Sequence, residues 1–408
     1  MNGHPHVSGP RPVPLEHRWP GLVLLVMLAS TAACQPFAEA LRGKLLPAGE
    51  DQSPTVSDHP LADLFSSADL PSPSGNIELM ADHKPRRSTP KPTAKASYTL
   101  LGVDCFGETP EGSCERFREM AGLKERQRLP MGWTGNGAAD RIRRSGPYAQ
   151  VSLSPVFYPD GSAYVTIDVV TQTQQDMLRL RPAPVEDVAM GSNLLDIYAQ
   201  FTQRWFALFS KGIKVNSQPR AGYWDYPHAR LQPFVELFRQ EVPGQRLELQ
   251  QVLLFDSNPH KRQAAANLLG FDKDDVAVVE ALSLAMLDPE PTVRSAAARA
   301  IQPKIQRLLA KGAVEAIPTQ HALHMLHLPS TSDRSGASAL LAEMIQVPEL
   351  RQPILNTAFP ILVQMVAATA PGNQGKAVEV LEGATGLKYG RDARRWKELS
   401  VSTTQRQR

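Results

Sequence analysis

The sequence predicts an α+β N-terminal module followed by an α-helical solenoid of α-α repeats, and three observations carry that expectation. In the C-terminal half, FDSNPHKRQAAANLLGF (255–271) and LDPEPTVRSAAARAIQP (287–303) align residue for residue, 32 positions apart. Upstream, YAQVSLSPVFY (148–158) and SAYVTIDVV (162–170) are β-rich runs joined by Pro159-Asp160-Gly161, a hairpin signal. Before both, residues 35–97 are rich in Pro, Ser, Asp and Lys and show no sustained hydrophobic period.

Residues 1–33 read as a signal peptide. Arg11 and Arg18 precede GLVLLVMLASTAA (21–33), an uncharged run too short to span a bilayer as a helix but suited to a secretory h-region and its small-residue cleavage site. Cys34 follows at once. The TAAC of 31–34 resembles the bacterial lipobox, which implies that Cys34 becomes the lipid-attachment residue and first residue of the mature chain. Thr31 departs from the leucine that pattern prefers, so cleavage by the general signal peptidase is the alternative. Gln35, where inner-membrane retention is associated with aspartate, implies the outer membrane. Residues 34–96 are expected to be a disordered tether with a reach on the order of 50 Å.

The α+β module occupies 97–171. A strand is expected at 98–103, helices at 115–121 and 138–145, then the hairpin, in the order β-α-α-β-β. Along the last strand Val165, Ile167 and Val169 alternate with Tyr164, Thr166 and Asp168, which predicts one buried and one wet face. With Cys34 lipidated, Cys105 and Cys114 are left to pair, closing a ten-residue loop whose glycines bring the sulfurs together. The run RIRRSGPYAQVSLSPVFYPDGSAYVTIDVV resembles the end of a POTRA domain, in which a helix ends in Gly-aromatic and two strands close the sheet. That resemblance implies a role in outer-membrane assembly or secretion, with polypeptides added to a sheet edge. A plain α+β spacer is the other reading.

Residues 172–232 are a connecting helix and an aromatic loop. Leu194, Tyr198, Phe201, Trp205, Leu208 and Phe209 recur at helical spacing, with Asn193 as the expected cap and Gly212 as the stop. The stripe is read as a face packed on a neighbour. In KVNSQPRAGYWDYP (214–227), Tyr223, Trp224 and Tyr226 either seal the module against the solenoid or form an exposed partner-binding patch.

The solenoid occupies 233–400, before a tail at 401–408. The alignment places Asp256 on Asp288, Arg262 on Arg294, Ala265-Ala266 on Ala297-Ala298 and Leu269 on Ile301. Fainter copies follow at 40-residue steps in DRSGASALL (333–341) and NQGKAVEVL (373–381), although the fourth lacks the arginine and Val293 is replaced by Lys261 and Asp333 in sister copies. The first helices are expected near 245–255, 274–287, 313–327 and 350–368, and a capping helix with Trp396 and Leu399 near 384–399. Pro303, Pro353 and Pro360 are expected to end or kink their helices. Small alanine faces let helical hairpins nest, and this pattern resembles HEAT repeats, whose stacks usually present a binding surface. Asp256, Arg262, Asp288 and Arg294 are read as repeat-stacking residues bonded between repeats, with partner contact by the arginines as the alternative.

Chemistry is less legible. The net charge of +3, or +2 without residues 1–33, gives no case for nucleic acid. No hydrolase or nucleotide motif is present, and His321, His324 and His327 fan round a helix too widely to hold one ion. No catalytic residue, metal or cofactor is therefore assigned. Module and repeats together resemble bacterial envelope proteins that join a hairpin-rich module to HEAT repeats. The expected function is a lipid-anchored, non-catalytic scaffold with a protein partner, and an exported enzyme with its site at the aromatic loop is the alternative.

Overall fold

In a computed structural model of the chain, residues 97–406 are described, apart from 108–111, 131–132, 136, 159, 212 and 214. The signal peptide, Cys34 and the tether expected for 1–96 lie outside the described residues.

The first elements are β1 (Ser97–Phe106), α1 (Ser113–Met120), β2 (Arg128–Pro130), α2 (Ala138–Arg144), β3 (Tyr148–Phe157) and β4 (Ser162–Thr171). They form one sheet of order β2-β1-β4-β3, with β1 parallel to β4 and the other pairs antiparallel. β2 was not anticipated, because a three-residue edge strand carries no readable alternation. Gly161, at φ +82°, closes the β3–β4 hairpin while Asp160 Oδ1 accepts from Ser162 N at 2.9 Å. Val165, Ile167 and Val169 pack in a core with Phe117 of α1 and Ile142 of α2. A Cys105–Cys114 disulfide, with Cα atoms 5.6 Å apart, ties the end of β1 to α1.

The second face of the sheet is not wet, contrary to the alternation. Thr166 and Asp168 are each only 1% exposed. C-terminal helices cover them and supply partners to much of the polar face: Asp104 of β1 accepts from Thr369 N at 2.6 Å and Ala370 N at 3.0 Å, and Ser152 Oγ donates to Pro329 O at 2.9 Å, although Asp168 Oδ2 has no hydrogen-bond partner among the described residues. Gly102 permits the approach, since a Cβ there would overlap the Thr369 hydroxyl. A Thr/Asp face thus marks a polar interface, where the pattern alone cannot distinguish solvent from protein donors.

After a 3-10 turn (Gln172–Leu178) the chain runs extended, back along the turns of the solenoid. Arg181 N donates to Leu287 O (2.7 Å), Val188 N to Asp256 Oδ2 (3.0 Å) and Gly191 N to Glu248 Oε2 (3.0 Å). Then come α3 (Leu194–Ser210), the two-stranded β5 (Gln218–Arg220) and β6 (Tyr223–Asp225), and α4 (Gln232–Glu241). Asn193 precedes α3 without making a side-chain cap.

Four helical hairpins follow: α5 (Arg246–Phe255) with α6 (Pro259–Leu269), α7 (Asp275–Ala285) with α8 (Pro291–Ala310), α9 (Thr319–His327) with α10 (Thr331–Met344), and α11 (Pro348–Ala367) with α12 (Gln374–Thr385). The second helices stack in sequence, α6 on α8, α8 on α10 and α10 on α12. Ala265, Ala266, Ala297, Ala298 and Ala337 are buried at these contacts, where small side chains let the helix axes come close. Proline at the first or second position opens α6, α8 and α11, where its missing N–H costs no helix bond.

The interior prolines do not end their helices: α8 runs through Pro303, and α11 through Pro353 and Pro360. Pro303 leaves the carbonyl of Arg299, four residues back, without its helical donor. Trp224 Nε1 supplies that donor at 2.6 Å. The last helix, α13 (Ala393–Arg406), begins later than expected, after a loop with Gly386 and Gly390 at positive φ. Trp396 is fully buried, its Nε1 donating to Gly390 O at 3.0 Å.

Candidate binding groove

The repeats are held in register by a chain of buried ion pairs. Arg262 Nε and Nη2 grip both oxygens of Asp288 at 2.9 and 2.8 Å, while its Nη1 donates to Asp256 O and Ser257 O. Arg294 repeats the arrangement, gripping Asp333 at 3.1 and 2.6 Å and donating to Asp288 O and Pro289 O. The third acid comes from Asp333, inside α10, because the turn position that matches Asp256 and Asp288 is Leu328. Bidentate geometry suits the planar guanidinium and fixes both distance and twist between neighbouring hairpins.

Both ends of this chain of pairs are closed by residues from outside the repeats. Asp256 at one end accepts from Val188 N of the returning strap and from Lys261 Nζ at 3.2 Å. At the other end Arg334 pairs with Asp168 of β4, and its guanidinium lies 3.9 Å from the centre of the Phe106 ring. Asp168 therefore stands where the fourth repeat would place its acid, a repeat that has Asn373 at the position of Asp333. Burial pushes its carboxyl above the usual carboxylate range, with Arg334 opposing.

On the exposed side of α6, α8 and α10, the residue after each arginine, Gln263, Ser295 and Ser335, faces an open groove. One wall is α3, contributing Tyr198, Phe201, Thr202 and Trp205; the other is β3, contributing Ser154, Pro155 and Val156. The groove comprises two cavities of about 560 and 400 Å³ that share Ser332. β3 is the outer strand of its sheet, so the second wall is a sheet edge. Leu194, Phe201 and Leu208 of the α3 stripe are buried, but Phe209 is 58% exposed and stacks on Trp205, so the stripe is not wholly a packed face.

Tyr223, Trp224 and Tyr226 are half-buried and turned inward. Tyr223 lies against Phe271 with the Arg239 guanidinium over its ring, Trp224 stacks under Arg299 at 4.3 Å, and Tyr226 meets Phe201 edge-on at 5.0 Å. The β5–β6 turn is pinned to α8 by Lys304, which donates to Gly222 O (3.2 Å) and Asp272 O (2.8 Å), and by Arg307, which donates to Ala221 O (2.9 Å). Of the three aromatics only Tyr226 reaches the groove. Lys304 is fully buried, and burial lowers its pKa to about 8 against the pull of Asp275 and Asp272. Asp275 faces Lys304, Arg307 and Lys311.

The described polar lining side chains are hydroxyls, amides and one cation, Arg299, which donates to Ser217 Oγ at 2.7 Å and Tyr226 Oη at 3.3 Å; aromatic rings and aliphatic side chains such as Pro155, Val156, Val215 and Pro291 line the remainder. Burial raises the Tyr198 phenol, which keeps it a neutral hydrogen-bonding group. Such a set offers hydrogen bonds and ring faces to a ligand. His321 and His324 lie elsewhere, on α9, with their pKa values lowered by burial, and no group of three metal-binding side chains occurs among the described residues. The signal that marks the groove in sequence is the position next to each repeated arginine; its walls come from segments no repeat pattern reaches.

No family model and no curated protein matches the chain. Among solved structures it is similar to an engineered protein, at 17% identity over 38% of this chain and 73% of that one, with a TM-score of 0.31. It is also similar to a designed armadillo repeat protein, at 16% identity over 47% of this chain and 100% of that one, with a TM-score of 0.21. The repeat assignment rests on this chain's own alignment and stacking.

Proposed function

We propose that the protein is an exported, non-catalytic scaffold, held to a membrane by lipid on Cys34, that binds an extended segment of a protein partner in the groove between α3 and β3. The observation that carries this reading is the groove itself: a floor of neutral donors and acceptors suits peptide N–H and C=O groups, and the Tyr198–Phe201–Trp205 wall suits apolar side chains. The disulfide supports an oxidising compartment. Among the described residues no helix is long and apolar enough to cross a membrane. A second reading, an accessory factor in outer-membrane assembly or secretion through a POTRA-like module, is favoured by the edge position of β3 beside the groove.

The test is site-specific photo-crosslinking in cells. A crosslinking residue at Ser295 or Ser332 is expected to give a discrete protein adduct, while one at Glu280, exposed on α7, gives none, and Ser332→Arg removes the Ser295 adduct. Equal labelling from Glu280, or no adduct from the groove, would overturn the reading. Acyl labelling lost in Cys34→Ala tests the anchor separately.

A further inference from the structure

One side chain in the groove carries a charge that no described residue neutralises. Four cations lie along α8: Arg294 meets Asp333, and Lys304 and Arg307 meet Asp275, but Arg299 meets no carboxylate among the described residues. Repeat stacking does not call for it, since the matching positions in sister copies are Asn267 and Ala339. The acids on either side are engaged elsewhere. Asp225 is taken by Arg220 at 2.9 Å and Gln232 at 2.8 Å, and Glu290 caps the far end of α8, nine residues and about 14 Å away along the helix.

Neutral groups hold the guanidinium in place. Its face lies over Trp224, 4.3 Å from the ring centre, and the same indole donates from Nε1 to the Arg299 carbonyl at 2.6 Å. Nη2 donates to Ser217 Oγ at 2.7 Å and Tyr226 Oη at 3.3 Å, which leaves Nε and Nη1 with no acceptor among the described residues. Tyr198 supplies no counter-charge, because burial raises its phenol and keeps it neutral. A guanidinium already fixed, with N–H groups to spare, takes a carboxylate through charge-assisted hydrogen bonds at little further cost in side-chain entropy.

Its position says which kind of carboxylate fits. Thr292, Ser295 and Arg299 lie on successive turns of α8 and line the larger cavity together. The groove runs across α6, α8 and α10, so Arg299 stands one helical turn, roughly 5–6 Å, to the side of Ser295. Beyond it, the space among Trp224, Tyr226 and Phe271 narrows to about 20 Å³. A side chain branching from a segment in the groove reaches this recess, whereas the backbone of the segment passes it by. We propose, on the footing that the groove holds a protein segment, that this segment presents an Asp or Glu side chain whose carboxylate docks on Arg299, with a neighbouring apolar side chain against Phe201 and Trp205. A basic segment is disfavoured by the same charge.

Binding is measured on the purified full-length protein by fluorescence anisotropy, using heptapeptide pools capped at both ends, each with one fixed central residue among Ala, Ser, Val and Tyr. The central-Glu pool is expected to bind about tenfold or more tightly than the central-Gln pool, and a central-Lys pool more weakly still. Arg299→Gln is expected to bring the Glu-to-Gln ratio to about one, and Arg299→Lys, which keeps the charge, to retain part of it. The comparison of pools on the parent protein needs no variant, and thermal unfolding checks that both variants fold. Equal binding of the Glu and Gln pools, no binding by the Glu pool, or a preference that survives Arg299→Gln would overturn the proposal. Tighter Arg299-dependent binding of a pool whose only carboxylate is its C-terminus, or of oligogalacturonate, would overturn it too, assigning the recess to a chain end or an acidic saccharide. A discrete Ser295 adduct in cells alongside equal Glu and Gln binding sinks only the acid requirement, while a retained Glu preference with no adduct sinks only the partner in cells.

Discussion

Arg334→Met is expected to release the sheet from the repeats while leaving the first repeats intact. Arg334 and Asp168 side chains are each 2% exposed, and Asp168 has no other cation paired with it in the described structure. Removing one member of a buried pair leaves the other uncompensated, at a cost of about 3–5 kcal/mol. Loss of the Phe106 contact adds about 1 kcal/mol. Asp168→Leu alone is expected to cost a similar 3–5 kcal/mol or so, because it strands the guanidinium instead. The double variant, which places two apolar side chains where the ions were, is expected within about 1 kcal/mol of the parent, a coupling of about 6 kcal/mol or more. A chain of this size need not unfold in one step, so native-state hydrogen exchange is the suitable assay. Amides of β1 and β4 should lose protection roughly a thousandfold or more in Arg334→Met, while those of α6 keep theirs. Additive single variants, or protection lost evenly from α6 to α10, would refute the idea that Asp168 substitutes for a repeat.

Further outcomes follow from single contacts. Trp224→Phe strands the Arg299 carbonyl that Pro303 has already deprived of its helical donor, costing about 1–3 kcal/mol in urea unfolding. Adding Pro303→Ala is expected to recover most of that, since residue 303 regains its N–H. Lys304 should give stability a rising limb between pH about 8 and 10.5: there the unfolded chain holds a proton that the folded one has released, so stability grows with pH, whereas below 8 the burial cost is carried in full. Above pH about 10 the buried Tyr198 opposes this, because its phenol ionises first in the unfolded state. Urea midpoints measured across pH 8–10 should flatten in Lys304→Met. Replacing both Cys105 and Cys114 with serine is expected to cost about 3 kcal/mol, read as lost exchange protection in β1 and α1 and not in α8.

The helical hairpins were legible because stacking writes itself locally. A turn acid, an arginine six residues on and paired alanines recur in full in the first two hairpins, and the third keeps Arg334 and Ala337 and the fourth Ala377, which was enough to place the helices of 246–385. The interior prolines misled, because a proline's effect depends on which group receives the freed carbonyl, and Trp224 comes from 79 residues earlier than Pro303. The groove's floor residues Gln263, Ser295 and Ser335 follow from the repeat, whereas the Tyr198–Phe201–Trp205 stripe of its wall reads in sequence only as a packing face.

By itself, then, the sequence determined the repeat period, the alanine faces, the β3–β4 hairpin and the candidate acids and arginines, since each depends on neighbours within a turn or two. Only the tertiary structure decided that Asp168 pairs with Arg334, that the strap closes Asp256, and that α3 and β3 each wall a cavity over the stacked helices, the two cavities sharing Ser332. Those pairings join residues up to 166 positions apart, and the free energy of burying a charge depends on which partner arrives, a quantity that no local pattern encodes.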